Sequence, residues 1–261
     1  MGLRRVSAEP AIILRRSEFG ESDLVIVMYC RNIGKITAIG RAARRSKKRF
    51  GGGLGIFTHS EVSLSIKPNS QMWTLESAVP IVLFENLATD IARMVHGSYA
   101  TELARELSVD EFPDPDLFDL LVELFHSLQG EGAKVGRLRI FEMRLLDILG
   151  LTPVLDCCAC CAASLEEGII SMDAERGGLV CEKCIGENPG KWIRRIGTQA
   201  RKYLADAQSL AQSLGPLSLG DALEGRVAAV AARQAILSIL CWHVGKPLKS
   251  LEFIASMSRT R

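Results

Sequence analysis

The sequence predicts an α+β multidomain protein, in which a small N-terminal OB-fold β-barrel precedes an α-helical domain with an inserted four-cysteine element. Three observations support this. Short apolar or alternating segments separated by turns fill residues 10–77, helical periodicity follows Pro80, and six of the eight cysteines lie between Cys157 and Cys184. The chain has 261 residues, 48% of them hydrophobic, so it can form one or two cores. We place the domains at residues 1–80 and 81–261, with the insertion at about 153–190.

Five strands are predicted in the N-terminal part. They cover residues 11–14, 23–30, 35–39, 61–67 and 71–76, and the fourth alternates polar and apolar side chains as a half-buried strand does. Asn32-Ile33-Gly34 and Pro68-Asn69-Ser70 are turn sequences. Five short strands in a segment of this size are typical of an OB-fold, and an SH3-like barrel fits the count almost as well.

Helical spacing predicts helices from Leu87 to Leu107, over 116–128 and over 134–149, where Gly150 ends the last of these. Thr198 can cap a helix that ends near Gly215, and Asp221 can begin a final helix that reaches Val244. The longest apolar stretch contains Arg233 and Gln234 and is shorter than the roughly 20 residues of a membrane span. The start of the chain lacks the apolar core of a signal peptide, so we expect a cytoplasmic protein without membrane contact.

The cysteine spacing predicts one structural Zn²⁺ per chain. Asp156-Cys157-Cys158-Ala159-Cys160-Cys161 precedes Cys181-Glu182-Lys183-Cys184 by nineteen residues, and paired Cys-x-x-Cys motifs are typical of four-thiolate zinc sites. In the first pair, Cys157 with Cys160 and Cys158 with Cys161 satisfy the spacing equally. Four thiolates leave no open position for catalysis, and a redox dithiol is the weaker alternative. Cys30 and Cys241 lie in apolar runs and are expected to be inert core thiols.

A basic segment is the second candidate site. The whole chain carries a formal charge of +2, but residues 1–80 hold 13 Lys and Arg against 6 Asp and Glu. Six cations stand in the nine residues from Arg41 to Arg49, where they repel each other unless a polyanion neutralises them. We therefore predict DNA contacts, mainly to phosphates, at Arg15, Arg16, Lys35, Arg41, Arg44, Arg45, Lys47, Lys48, Arg49 and Phe50. Phe50 is the preferred stacking residue among Phe19, Tyr29, Phe50, Phe57 and Trp73; a solvated charge run is the alternative.

Sequence signals for an enzyme are absent. The four histidines are scattered, and there is no Walker A lysine motif, no Gly-x-Gly-x-x-Gly and no Gly-x-Ser-x-Gly. We therefore predict no catalytic site.

The sequence resembles the RecO family of bacterial recombination mediators. The resemblance rests on Ala11-Ile12-Ile13-Leu14, Glu18-Phe19-Gly20-Glu21-Ser22-Asp23, Gly34-Lys35, the stretch from Gly40 to Gly51, Leu155-Asp156 with the cysteines, Gly177-Gly178-Leu179-Val180-Cys181 and Lys249-Ser250. It implies an OB-fold, a helical domain and a zinc element. It also implies Cys158, Cys161, Cys181 and Cys184 as ligands, with Cys157 and Cys160 as extras. The chain departs from the family pattern in these doubled cysteines and in Ala162, where the family often has glycine.

The resemblance further implies that the protein binds single- and double-stranded DNA, anneals complementary strands, and works with RecR to load RecA on DNA coated by single-stranded-DNA-binding protein. Two alternatives stay open. One is an RNA-binding OB-fold protein. The other is a zinc-stabilised protein scaffold whose interaction face is acidic and comprises Glu102, Glu106, Asp110, Glu111, Asp114, Asp116 and Asp119.

Overall fold

A computed structural model describes residues 3–165, 170–186 and 190–252. These residues form two compact units, the first ending at Gly132 and the second beginning at Ala133. The helical segment that we expected to start a second domain at residue 81 therefore contributes its first helices to the same unit as the strands.

The first unit contains a closed five-stranded barrel. Its strands are β1 (Arg4–Phe19), β2 (Asp23–Cys30), β3 (Gly34–Gly40), β4 (His59–Ile66) and β5 (Trp73–Val82), and their order around the barrel is β1-β2-β3-β5-β4. All neighbours pair antiparallel except β3 and β5, which pair in parallel. This Greek-key closure confirms the OB-like prediction and excludes the SH3-like alternative.

The barrel interior is apolar and tightly closed. Inward positions alternate along the strands, and Ile13, Ile26, Met28, Leu64 and Trp73 are all essentially inaccessible. The first strand begins seven residues earlier than predicted, because Arg4, Arg5 and Val6 extend its pairing with β4. A bulge between Ile13 and Arg15 shifts the register with β2, and such bulges bend a long strand so that it can serve two neighbours.

Four helices complete the first unit: α1 (Lys47–Phe50), α2 (Glu85–Thr89), α3 (Ile91–Leu107) and α4 (Pro115–Glu131). The connection between α3 and α4 lies against β3, where the Glu111 amide donates to the Lys35 carbonyl over 2.9 Å. Trp73 Nε1 donates to Glu111 Oε1 over 2.8 Å. Gly34 is required here, since a Cβ at this position would lie 2.4 Å from the Phe112 carbonyl oxygen.

In the second unit, α5 (Val135–Ile148) packs against a 3-10 helix (Leu217–Leu223). A Cβ on Gly136 would lie 1.9 Å from the Gly220 carbonyl oxygen, so both glycines are needed for this close approach. Next to it, Arg137 donates to both oxygens of Asp221 over 2.6 Å. The Asp221 pKa is lowered by its hydrogen bonds to Arg137 and Lys134.

Small strands and helices complete the second unit. They are β6 (Ile170–Asp173), β7 (Gly178–Val180), α6 (Glu182–Ile185), β8 (Ile193–Ile196), α7 (Thr198–Gln212) and α8 (Ala229–Val244). The strand order is β7-β6-β8. Two sequence predictions need correction: the last helix begins at Ala229 because Asp221 is held in the 3-10 helix by Arg137, and Thr198 is the first residue of α7, whose N-cap is Gly197. In the described part of the chain, no helix has both the length and the apolar character needed to cross a membrane.

Candidate nucleic-acid interface and metal centre

The basic segment is a loop anchored to the barrel by apolar side chains. It follows β3, forms the single turn α1 and continues through a glycine-rich stretch. Ala43, Phe50 and Leu54 are buried in the barrel core cluster, which fixes the backbone of the loop. The Arg44 amide also donates to the Ser22 carbonyl over 3.0 Å, so the loop lies against the turn between β1 and β2.

This anchoring turns most of the cations outward. Arg41, Arg45, Lys47 and Lys48 are exposed, and no side-chain hydrogen bond or ion pair joins them to another described residue. Arg15 on β1 is likewise exposed without such a contact among the described residues. Because no acidic side chain among the described residues pairs with these cations, the phosphates of a polyanion can neutralise them, and counterions are then released into solution.

Three further arginines are exposed or half-buried but hold contacts. Arg44 Nη1 lies 3.2 Å from Glu18 Oε2, and Arg16 Nη1 donates to the Leu54 carbonyl over 3.4 Å. Arg49 Nη2 donates to the Arg41 carbonyl over 2.6 Å, and its guanidinium lies 4.8 Å from the centre of the Phe50 ring. Arg49 therefore stabilises the conformation of the loop and also contributes to its positive charge.

Lys35 does not belong to this surface. Its ammonium donates to the carbonyl oxygens of Arg105 and Ser108 over 2.6 and 2.7 Å and lies 3.2 Å from Asp110 Oδ1. The side chain is 16% exposed. The prediction of a DNA contact at Lys35 is corrected, because the three donors of its ammonium are used at the C-terminal end of α3.

The aromatic prediction also changes. Phe50 is 4% exposed and lies in the barrel core, so its ring is not available to stack on a base. Tyr29, Phe57 and Trp73 are buried as well. Phe19, at the end of β1, is 58% exposed and is the accessible ring among the five aromatic candidates. Sequence reasoning passed over it because burial depends on strand alternation and barrel closure rather than on nearby charge.

The acidic positions of the scaffold alternative do not form a free face. Five of the seven carboxylates have side-chain partners inside the first unit: Glu102 and Glu106 pair with Arg105, Asp110 pairs with Lys35, Glu111 accepts from Trp73, and Asp119 pairs with Arg31. Asp114 caps α4 by accepting from the Asp116 and Leu117 amides. These contacts give six of the seven acidic residues partners within the fold.

The second unit brings four cysteines together. The Sγ atoms of Cys158, Cys161, Cys181 and Cys184 all lie within 4.8 Å of one another. Cys158 and Cys161 stand on the loop after Asp156, Cys181 directly follows β7, and Cys184 lies on α6. Gly178 permits this arrangement, because a Cβ there would lie 2.5 Å from the Val154 carbonyl oxygen.

The arrangement fits a tetrahedral thiolate site. Zn–S bonds of about 2.3 Å place sulfur atoms about 3.8 Å apart in a tetrahedron, and the Cys161 and Cys181 sulfurs are 3.9 Å apart. The Cys181 amide lies 3.4 Å from Cys158 Sγ as a donor. Burial raises the pKa of Cys158, but hydrogen bonds from the backbone amides of Cys181, Cys161 and Cys160 outweigh it and lower that pKa to about 6. The four residues could therefore hold a metal ion.

Two arginines donate hydrogen bonds to backbone carbonyl oxygens around this cluster. Arg201 on α7 donates to the carbonyl oxygens of Leu155, Asp156 and Leu165 over 3.2, 2.9 and 3.1 Å. Arg176 donates to the Cys184 carbonyl over 2.7 Å. Nothing in the sequence spacing marks either arginine, since each acts on carbonyl oxygens that become neighbours only in the fold.

The other cysteines lie outside the four-sulfur group. Cys157 is half-buried and Cys160 is exposed. The backbones of Cys157 and Ser164 form an isolated antiparallel β-bridge. Cys30 is fully buried in the barrel, and burial raises its pKa well above the ordinary value, as expected of an inert thiol. Cys241 on α8 is only half-buried.

Comparison with known proteins gives matches over nearly the whole chain. Residues 5–84 match the family model for the N terminus of recombination protein O, and residues 88–252 match the model for its C terminus. A DNA repair protein RecO from Anaeromyxobacter dehalogenans (strain 2CP-C) is 35% identical over 244 residues, covering 93% of each chain. Proteins of the same description from Syntrophus aciditrophicus (strain SB) and Myxococcus xanthus (strain DK1622) are each 30% identical, over 261 and 250 residues, covering 95% or more of each chain.

Proposed function

The chain belongs to the RecO family of DNA repair proteins, and from that premise we propose that it binds single- and double-stranded DNA and anneals complementary strands. We further propose that, with RecR, it helps to load RecA on DNA coated by single-stranded-DNA-binding protein. It would act in the cytoplasm, at the nucleoid during repair. The proposed activity involves no covalent chemistry, and RecA is an indirect partner.

The exposed cations of the loop from Arg41 to Lys48 are the observation that carries the DNA-binding proposal. Four of them have no side-chain partner among the described residues. Arg44 in the same loop pairs with Glu18 on β1, and Arg16 extends the surface along that strand. A strand that lies on this surface neutralises several cations at once and releases counterions. Because the contacts are to phosphates, binding should depend weakly on sequence.

Annealing follows from the same electrostatics. Two complementary strands repel each other through their phosphates, and a surface that neutralises both lowers this barrier. The sequence holds no Walker A motif, so the proposed activity draws on no bound nucleotide. Structural zinc at Cys158, Cys161, Cys181 and Cys184 is part of the proposal, and its support is the mutual approach of the four sulfurs.

Annealing of complementary oligonucleotides in the absence of ATP tests the proposal. One strand carries a donor dye and the other an acceptor, and energy transfer reports pairing. We expect the full-length protein to accelerate pairing at low salt and to lose this effect as salt rises. No acceleration at any salt concentration, or a strict requirement for ATP, would contradict the proposed activity. RNA strands assayed side by side separate DNA annealing from the RNA-binding alternative.

A further inference from the structure

A cavity of about 510 Å³ opens on the first unit between the C-terminal half of β1 and the basic loop. Its floor is apolar and is formed by Leu24, Ala43, Phe50 and Leu54, each less than 10% exposed. Glycines 52 and 55 line it without side chains. The volume falls within the range of about 300–1,000 Å³ that is usual for small-molecule sites.

The rim of the cavity has the opposite chemistry. Arg16 and Arg44 lie on it. In both side chains the described contacts use only Nη1, so the other N–H groups of each guanidinium can donate to a phosphate. Glu18 also lies on the rim. Its Oε2 pairs with Arg44, whereas its Oε1 accepts no hydrogen bond from a described residue.

The combination of floor and rim selects a ligand class. An inorganic anion matches the arginines but leaves the apolar floor without a partner, and an aliphatic group matches the floor but not the arginines. A nucleotide matches both, since a base is flat and largely apolar on its faces while its phosphate is anionic. The free oxygen of Glu18 can accept from a base N–H group, as a carboxylate does with the amine of cytosine.

We propose that this cavity holds one unstacked nucleotide of single-stranded DNA, with the base on the floor and the phosphate at Arg16 and Arg44. The inference deepens the proposed function and rests on it. In a duplex both faces of a base are covered by its stacked neighbours, so a duplex contacts the loop cations without entering the cavity. Pairing therefore withdraws the base from the cavity, and this site favours the single strand.

The test compares two oligonucleotides of equal length and charge, one of deoxycytidines and one in which abasic residues replace the central bases. Fluorescence anisotropy at fixed salt measures the affinity of the full-length protein for each. We expect the abasic strand to bind about tenfold more weakly, because it lacks the base that covers the apolar floor. Equal affinities would overturn the inference and leave the proposed function intact, whereas binding of neither strand would contradict both.

The variant Ser17→Leu tests whether the base contacts the protein in this cavity. Ser17 is an exposed residue of the rim, and leucine is larger at this position without changing the charge. We expect this variant to bind the deoxycytidine strand more weakly than the wild type does, by up to the difference that the abasic strand shows, with duplex affinity unchanged. Ser7→Leu, at an exposed serine of the same strand outside the cavity, should behave as the wild type. Full discrimination between the two strands in a folded Ser17→Leu protein would overturn the assignment. The wild-type comparison decides the question if that variant does not fold.

Discussion

Lys35 Nζ and Asp110 Oδ1 form an ion pair of 3.2 Å that ties strand β3 to the segment after α3. The same ammonium donates to two carbonyl oxygens at the end of that helix. A lysine in the most basic part of the sequence thus stabilises the fold, and its charge does not count among those proposed to contact DNA.

Lys35→Met should therefore destabilise the protein without weakening DNA binding. Its removal leaves the carbonyl oxygens of Arg105 and Ser108 without this donor, which costs about 1–3 kcal/mol for a buried polar group. Thermal unfolding measures the loss. Lys48→Met is the matched control, since Lys48 is exposed without a described side-chain contact, and it should leave the melting temperature unchanged. A stable Lys35→Met protein with reduced DNA affinity would restore Lys35 to the interface.

Phe19 is expected to stack on a base of single-stranded DNA, because it is the exposed ring among the aromatic candidates beside the basic loop. Phe19→Ala should weaken binding of single strands by about 1–3 kcal/mol with no change in the salt dependence. Phe19→Trp, which retains a ring, should bind at least as tightly as the wild type. Equal binding by the alanine variant and the wild type would show that the ring takes no part.

The cysteine assignment predicts about one zinc per chain in protein purified without chelator. Cys181→Ser should lower the zinc content and the solubility, because one of four ligands is lost. Cys157→Ser and Cys160→Ser should be milder than Cys158→Ser and Cys161→Ser, since the latter two sulfurs lie in the four-sulfur group. Atomic absorption gives the metal content. Unchanged zinc in Cys181→Ser would contradict the site, and the reverse order among the other four would contradict the register.

Replacing Ala162 by glycine should stabilise the second unit. Its φ of 57° lies in the left-handed region, which costs a residue with a Cβ about 1–2 kcal/mol, only partly offset by the larger backbone entropy that glycine loses on folding. Ala162→Gly should raise the unfolding temperature of the second unit slightly and slow the release of zinc to a chelator. Ala159→Gly, in the same loop at negative φ, should do the opposite. A destabilised Ala162→Gly protein would contradict this account of the turn.

The sequence was sufficient to predict the barrel, because period-2 alternation and turn residues are local signals. It was also sufficient to predict two cysteine pairs, because their spacing is fixed by coordination chemistry. It could not assign Lys35, whose partners lie 70 or more residues away, or Phe50, which belongs to a buried cluster with residues from all five strands. Spacing alone left the overlapping cysteine pairs open, whereas the family resemblance implied Cys158 and Cys161, and the group of four neighbouring sulfurs contains these two.

The salt dependence of single-stranded DNA binding tests the central claim, that the basic loop is the phosphate-binding surface. Each cation that neutralises a phosphate contributes about 0.7 to the slope of log affinity against log salt. Replacing Arg45, Lys47 and Lys48 by alanine should thus flatten the slope by about 2, equally for unrelated sequences. The change removes three charges, as does the control that replaces exposed Lys67, Arg195 and Lys202, for which the slope should stay near the wild-type value. A folded loop variant that keeps the full slope would show that DNA binds elsewhere.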